Sequence, residues 1–133
     1  MEIPDDLRYS SEHEWVRVEG DVATVGITDY AQDQLGDIVY LDLPAAGTTL
    51  AQGAKLGEVE SVKAMSDIYA PVGGEVIEAN ADIADEPEIV NASPYGRGWL
   101  VKLRLADESE LDSLLDAKAY DELITREMEE NTD

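Results

Sequence analysis

Alternation of apolar and polar positions is the main pattern over the first 105 residues, and it predicts short β-strands separated by turns. The clearest strand covers residues 99–105, where every second side chain from Trp99 onward is apolar. Glycine and proline separate the other predicted strands, which cover residues 15–18, 22–27, 38–43, 56–60, 65–70 and 75–79. This pattern predicts a mainly β protein, built as a small sandwich or barrel.

Short helical patterns interrupt the strands at two places. Residues 28–36 predict one or two helical turns, which Thr28 can cap and Gly36 can end. Residues 85–90 predict a second short helix, with Pro87 in its first turn, where a missing N–H costs little. We expect both helices to lie beside the strands rather than to form the core.

A longer helical pattern follows the last strand. Ser109 can cap one segment and Asp116 a second, in which the apolar side chains share one face. The acidic tail, residues 127–133, is expected to fray. We therefore expect one domain over residues 1–133, with a β core at about 13–105 and a helical segment at about 109–129.

The charge of the chain is strongly negative, with 31 Asp and Glu against 9 Lys and Arg and a net charge of −22. Such a chain repels nucleic acids and anionic lipid, so neither is an expected partner. Self-repulsion also destabilises the compact state in dilute buffer. At ~1 M salt the Debye length falls to roughly 3 Å and this repulsion is screened, so we predict a salt-adapted host.

The first six residues are acidic and contain no apolar stretch, unlike a signal peptide or a basic transit peptide. The sequence also lacks a run of ~20 apolar residues that could cross a membrane. A cytoplasmic location is therefore expected.

Groups for catalysis are scarce in this sequence. Cysteine is absent, which removes disulfides and thiolate chemistry, and His13 is the only histidine. Glu14 is next to it, but neighbouring residues of a strand point to opposite faces, so we expect His13 to be structural or exposed. One imidazole among carboxylates also disfavours a zinc site. We expect neither a metal site nor an enzyme.

Lys63 lies in a predicted tight turn between two strands, flanked by the small residues Ser61, Ala64 and Ser66. A single lysine is usually only a solvated surface charge. This chain, however, contains just four lysines, and the turn would present this amine far from the core. Acylation would remove its charge and leave a long amide-linked arm.

The segment around Lys63 closely resembles the lipoylation segment of glycine cleavage H proteins. It reads GEVESVKAMSDIYAP over residues 57–71. The resemblance continues in GEVIE (74–78), HEWV (13–16), VATVGITDYAQ (22–32), LGDIV (35–39), VN (90–91), PYG (94–96) and GW (98–99). The combination is specific for this family, whereas the hairpin alone would indicate only a lipoyl or biotinyl carrier.

The resemblance implies a barrel-sandwich hybrid of the biotinyl/lipoyl carrier type, with short flanking and C-terminal helices. It implies that Lys63 holds lipoate as an amide, attached by a lipoate-attaching enzyme. The protein would then be a non-catalytic shuttle. It would take an aminomethyl group from glycine decarboxylase to a tetrahydrofolate-dependent aminomethyltransferase, and then pass electrons to dihydrolipoyl dehydrogenase.

The resemblance also implies a groove into which the loaded arm folds, at positions that match Glu14, Ile27 and Asp67. A carboxylate there can pair with the ammonium of an aminomethyl group, and exclusion of water would slow its loss. Glu12 departs from the family pattern, since some relatives carry a small polar residue there. It could crowd the groove or add a second negative charge.

Three alternatives remain open at this point. Lipoyl or biotinyl carriers of other complexes are the nearest, although biotin carriers usually have Met on both sides of the lysine, where Val62 and Ala64 stand here. A lipoate relay protein would keep the same fold. An acidic interaction protein without a prosthetic group belongs to a different class, and the mass of the intact chain distinguishes it.

Overall fold

Residues 1–130 are described by the computed structural model, which is mainly β, as predicted. The strands are β1 (Arg8–Tyr9), β2 (Glu14–Glu19), β3 (Val22–Ile27), β4 (Ile38–Asp42), β5 (Thr49–Leu50), β6 (Lys55–Ser61), β7 (Met65–Tyr69), β8 (Gly74–Ala79) and β9 (Val101–Leu105). The helices are α1 (Asp29–Leu35), α2 (Ala81–Asp85), α3 (Glu88–Ala92), a 3₁₀ helix (Glu108–Ser113) and α4 (Ala117–Glu130). None of these helices is both long and apolar enough to cross a membrane.

The strands form two antiparallel sheets. The large sheet has the order β1-β2-β3-β9-β8-β5, and the small sheet has the order β4-β6-β7. Both sheets contribute to one apolar cluster, for example Val25 and Leu103 from the large sheet and Leu41, Val59 and Ile68 from the small one. The sheets therefore pack face to face across a shared core, which supplies most of the apolar burial.

A second apolar cluster attaches α4 to the outside of the large sheet. Tyr120 and Ile124 of α4 are buried against Tyr9 of β1 and Trp15 of β2. The rings of Tyr9 and Tyr120 stack with centroids 4.6 Å apart. The apolar face predicted for this helix is therefore the face that it buries.

Local signals located two of the helices well. The Thr28 side chain accepts the Ala31 N–H at 3.2 Å, so it caps α1 as predicted, and Gly36 ends this helix with φ of 81°. Such a positive φ suits glycine, because it has no Cβ. Asp116 likewise accepts the Ala119 N–H at 2.8 Å at the start of α4.

Other local predictions were partly wrong. The short helix predicted at residues 85–90 is α3, which begins at Glu88 with Pro87 as its N-cap, and the separate helix α2 before it was not predicted. Asp107, not Ser109, caps the 3₁₀ helix, since its carboxylate accepts the Ser109 N–H. The tail over residues 127–133 was expected to fray. Its residues 127–130 belong to α4, and residues 131–133 lie outside the described residues.

Candidate functional site

The β6–β7 hairpin presents Lys63 at its tip, as the sequence predicts. The Ser61 N–H donates to the carbonyl of Ala64 at 2.8 Å, and the Ser61 hydroxyl oxygen accepts the N–H groups of Lys63 and Ala64 at 3.3 and 3.1 Å. The Val62 N–H donates to the carbonyl of Asp37 at 3.0 Å. The tip is therefore held both by its own turn and by the segment that precedes β4.

The Lys63 side chain is exposed and lies across Gly36, at the end of α1. A Cβ atom at position 36 would stand 3.4 Å from Lys63 Cε. Within residues 1–130, the Lys63 amine forms no ion pair. An accessible amine that no carboxylate holds, on a stem with room beside it, fits the attachment of an acyl group.

Glu14 is the buried carboxyl group of this region, with 2% of its surface exposed. The Ser10 hydroxyl donates to its Oε1 at 2.5 Å, and the Tyr69 N–H donates to its Oε2 at 3.2 Å. Burial raises the pKa of Glu14 to about 7, although these two hydrogen bonds favour the ionised form, and the nearby charge of Glu12 also raises it. A cation that approaches this carboxyl stabilises its ionised form, so the carboxyl readily loses its proton near neutral pH.

The other two expected groove residues lie in different environments. Ile27 is directly opposite Glu14 in the register of β2 and β3, and it is buried. Asp67 is exposed, with Lys55 Nζ 3.3 Å from its Oδ1, and the Tyr69 hydroxyl donates to its Oδ2 at 3.5 Å. The structure thus brings Glu14 and Ile27 together and places Asp67 two residues before Tyr69, the backbone partner of Glu14.

Two cavities near the buried carboxyl share Glu12 in their lining. The first has a volume of about 230 Å³, and Glu12, Glu14 and Tyr69 are part of its lining. The second, of about 260 Å³, follows one side of α1 and is lined by Glu12, His13, Tyr30, Ala31, Gln34, Leu35, Ser66 and Glu127. We call the two cavities together the groove. Glu14 lines its first part, and its second part follows α1 as far as Leu35, whereas Lys63 lines neither part. Neither cavity is lined by Asp67 or Ile27.

His13 and Glu127 form part of this groove, a role that the sequence reading did not give them. His13 adopts a left-handed backbone with φ of 72°. Its Nδ1 is 2.8 Å from the Tyr120 hydroxyl and its Nε2 is 2.9 Å from Glu127 Oε2. One signal could have found Glu127, since it follows Tyr120 by seven residues and so shares its helix face. His13 therefore joins α4 to the groove wall, a structural role.

Two packed antiparallel sheets that expose one lysine at a hairpin tip, beside a groove with a buried carboxyl, define a carrier of a covalently attached group. Comparison with known proteins specifies the carrier. The family model for the glycine cleavage H-protein matches residues 7–127, and the chain belongs to this family.

Individual relatives agree over nearly their full length. The glycine cleavage system H protein of Marinobacter nauticus is 57% identical over 127 residues, which are 95% of this chain and 98% of that protein. The H protein of Bacteroides thetaiotaomicron is 52% identical over 124 residues, or 93% of this chain and 98% of that protein. The crystal structure of a glycine cleavage system H protein from Mycobacterium marinum has a TM-score of 0.81 and 39% identity, and covers 89% of this chain and 95% of that one.

These comparisons confirm the family, the barrel-sandwich carrier fold and the function expected from the resemblance. The chain is a non-catalytic carrier component of a glycine cleavage system.

Proposed function

We propose that Lys63 carries lipoate, joined through an amide bond between its Nζ and the lipoyl carboxyl carbon. The observation that carries this proposal is the exposed Lys63 amine on a hydrogen-bonded hairpin tip. The site also offers the lysine stem room beside Gly36. A modifying enzyme can therefore reach the amine without unfolding the chain.

When bound, lipoate supplies two sulfur atoms that can hold an aminomethyl group or a pair of electrons. The residues of this chain position and protect the cargo. The hairpin holds Lys63 near one end of α1, and the groove consists of a cavity beside α1 and a cavity lined by Glu14, with Glu12 in the lining of both. There a cationic group would lower the pKa of Glu14 and draw it into its ionised form, which then pairs with the cation. Shielding from water would slow the loss of the cargo.

Ile27 supports Glu14 by packing opposite it, and we propose that Asp67 adds negative charge at the outer rim of the groove. The proposed partners are glycine decarboxylase, the tetrahydrofolate-dependent aminomethyltransferase, dihydrolipoyl dehydrogenase and a lipoate-attaching enzyme. We further propose that residues 1–133 act as one lipoyl-carrier domain and that the protein works in the cytoplasm.

Intact mass of the chain from a lipoylating host tests the attachment. We expect the mass to rise by one lipoyl amide, and a peptide covering residues 57–71 to carry it. Lys63→Arg should abolish the increase, because an arginine cannot be acylated in this way. Lys55→Arg, on the same small sheet, is the matched control and should keep it. A modification that persists in Lys63→Arg, or a chain that is never modified, contradicts the proposal and favours an acidic protein without a prosthetic group.

The groove is tested by the lifetime of the loaded cargo. After loading with glycine and the decarboxylase, the aminomethyl group should be lost faster from Glu14→Gln than from the wild-type chain, with mass as the readout. Glu75→Gln, at an exposed strand position, is the control. Equal lifetimes for wild type and Glu14→Gln would remove Glu14 from the proposed groove.

A further inference from the structure

The outer face of the small sheet carries exposed apolar side chains next to Lys63. Tyr40 is opposite Glu60 in the register of β4 and β6, and Glu60 is opposite Met65 in that of β6 and β7, so the three form one row. Tyr40 and Met65 are 56% and 63% exposed, and Val62, which precedes Lys63, is 69% exposed. We call Tyr40, Val62 and Met65 the flanking residues.

This exposure is concentrated near the lysine. The structure has seven exposed large hydrophobic residues within positions 1–130, and four of them lie in β4 or in the hairpin: Val39, Tyr40, Val62 and Met65. None of the flanking residues belongs to either apolar core cluster, so the fold does not need them to be apolar. Clustered exposed apolar groups indicate a contact surface, and aromatic residues and Met are enriched at the centre of such surfaces.

We propose that the flanking residues are the contact surface for the enzyme that acylates Lys63, an inference that rests on the proposed function. A lysine without its prosthetic group is short, so that enzyme must bring its active site against the hairpin tip. The shuttle partners, in contrast, receive a longer arm and need not cover the tip. The acylating enzyme is therefore the occupant that this surface fits.

Charge on the same face specifies the chemistry of this partner. The next row of the small sheet consists of Asp42, Glu58 and Asp67, and Lys55 is the cation paired with the last two. An acidic partner would be repelled there, whereas a basic border would be attracted. The partner surface is thus an apolar centre that covers Tyr40 and Met65, bordered by Lys or Arg.

The covalent step is an acyl transfer to the neutral Lys63 amine. Nζ attacks the carbonyl carbon of a lipoyl adenylate, which the enzyme makes from lipoate and ATP. The new C–N bond forms as the bond from this carbon to the phosphate oxygen breaks, so AMP leaves and the nitrogen gives up a proton. The flanking residues take no part in this chemistry and act by placing the amine.

The test uses the full-length chain prepared without lipoate, a purified ATP-dependent lipoate ligase, lipoate and ATP, with intact mass followed over time. We expect the double variant Tyr40→Ser/Met65→Ser to lower kcat/KM for the carrier by about tenfold or more, because truncation of central contact residues has effects of this size. Val18→Ser/Met128→Ser removes two exposed apolar groups elsewhere and should leave kcat/KM unchanged.

A third variant, Tyr40→Phe/Met65→Leu, keeps the apolar surface and should retain the wild-type rate, and urea midpoints identify any loss of folding. Equal kcat/KM for Tyr40→Ser/Met65→Ser and wild type overturns the inference, as does an equal fall in the Val18→Ser/Met128→Ser control. If the wild-type chain is not modified at Lys63 at all, the proposed function itself fails. The two failures are therefore distinguishable.

Discussion

Replacement of Glu14 by glutamine should make the chain more stable, and more so as the pH rises. The buried carboxyl has a pKa of about 7, against an ordinary value of 4.5. Because the folded state binds this proton more tightly than the unfolded state, wild-type stability falls as the pH rises from the lower value through the higher one. Glutamine is neutral at every pH and avoids this loss. Its oxygen can accept the Tyr69 N–H, while its amide donates to the Ser10 hydroxyl.

The size of the effect follows from the two pKa values. One pKa unit corresponds to about 1.4 kcal/mol. The raised pKa of Glu14 therefore lowers the free energy of unfolding by roughly 3 kcal/mol at a pH where the group is ionised in both the folded and the unfolded state. Part of this cost is already present at about pH 5, where an unfolded Glu is largely ionised. Between about pH 5 and about pH 8, the stability difference between Glu14→Gln and wild type should therefore grow by about 2.5 kcal/mol in favour of the variant.

Urea denaturation at constant ionic strength measures this difference, with the fluorescence of the buried Trp15 as the probe. Only the variant-minus-wild-type difference is informative, because the many other carboxylates contribute equally to both chains. Glu75→Gln is the control for the replacement of an exposed carboxylate by an amide. A difference for Glu14→Gln that stays constant across this pH range would refute the reasoning that burial raises the pKa of Glu14.

Three further predictions concern the rest of the fold. Tyr120→Phe removes the hydroxyl shared by His13 and Thr28 and should lower the free energy of unfolding by about 1–2 kcal/mol in urea titrations; an unchanged midpoint would contradict this. Gly57→Ala places a Cβ 2.1 Å from the Asp42 carbonyl oxygen and should lower the free energy of unfolding by about 1–3 kcal/mol or more in urea titrations. An unchanged free energy of unfolding would show that β4 and β6 separate easily at this point. Salt raised from about 0.1 M to about 1 M should raise the melting temperature, because it screens the net charge of −22, and a flat response would count against salt adaptation.

Features set by neighbouring residues could be predicted from the sequence. The cap and end of α1 were placed by Thr28 and Gly36, since both act on backbone groups within one turn. The hairpin around Lys63 followed from small residues between two apolar segments. Strands β1 and β5 were missed, because two residues are too few to show a period.

The environment of each carboxylate could not be predicted, because it depends on distant parts of the chain. Glu14 is one of 31 acidic residues, and its burial depends on Tyr69, 55 positions further on. The face on which Asp67 lies depends on the register of β7 against β6, in which Asp67 is opposite Glu58. The family resemblance named these positions together, but only the structure separates the buried residue from the exposed one.

The hydrogen bond from the Val62 N–H to the Asp37 carbonyl holds the hairpin tip against the segment before β4, so the tip is a fixed attachment point. All of the reach of a group attached at Lys63 must then come from the lysine stem and the group itself. A short tether on a stationary anchor confines its free end to a small volume, so the end stays at high local concentration near the groove and near any docked active site. A mobile hairpin tip would enlarge this volume and lower the local concentration of the free end of the attached group. A rigid tip therefore favours rapid transfer of that end to the groove or to a docked active site.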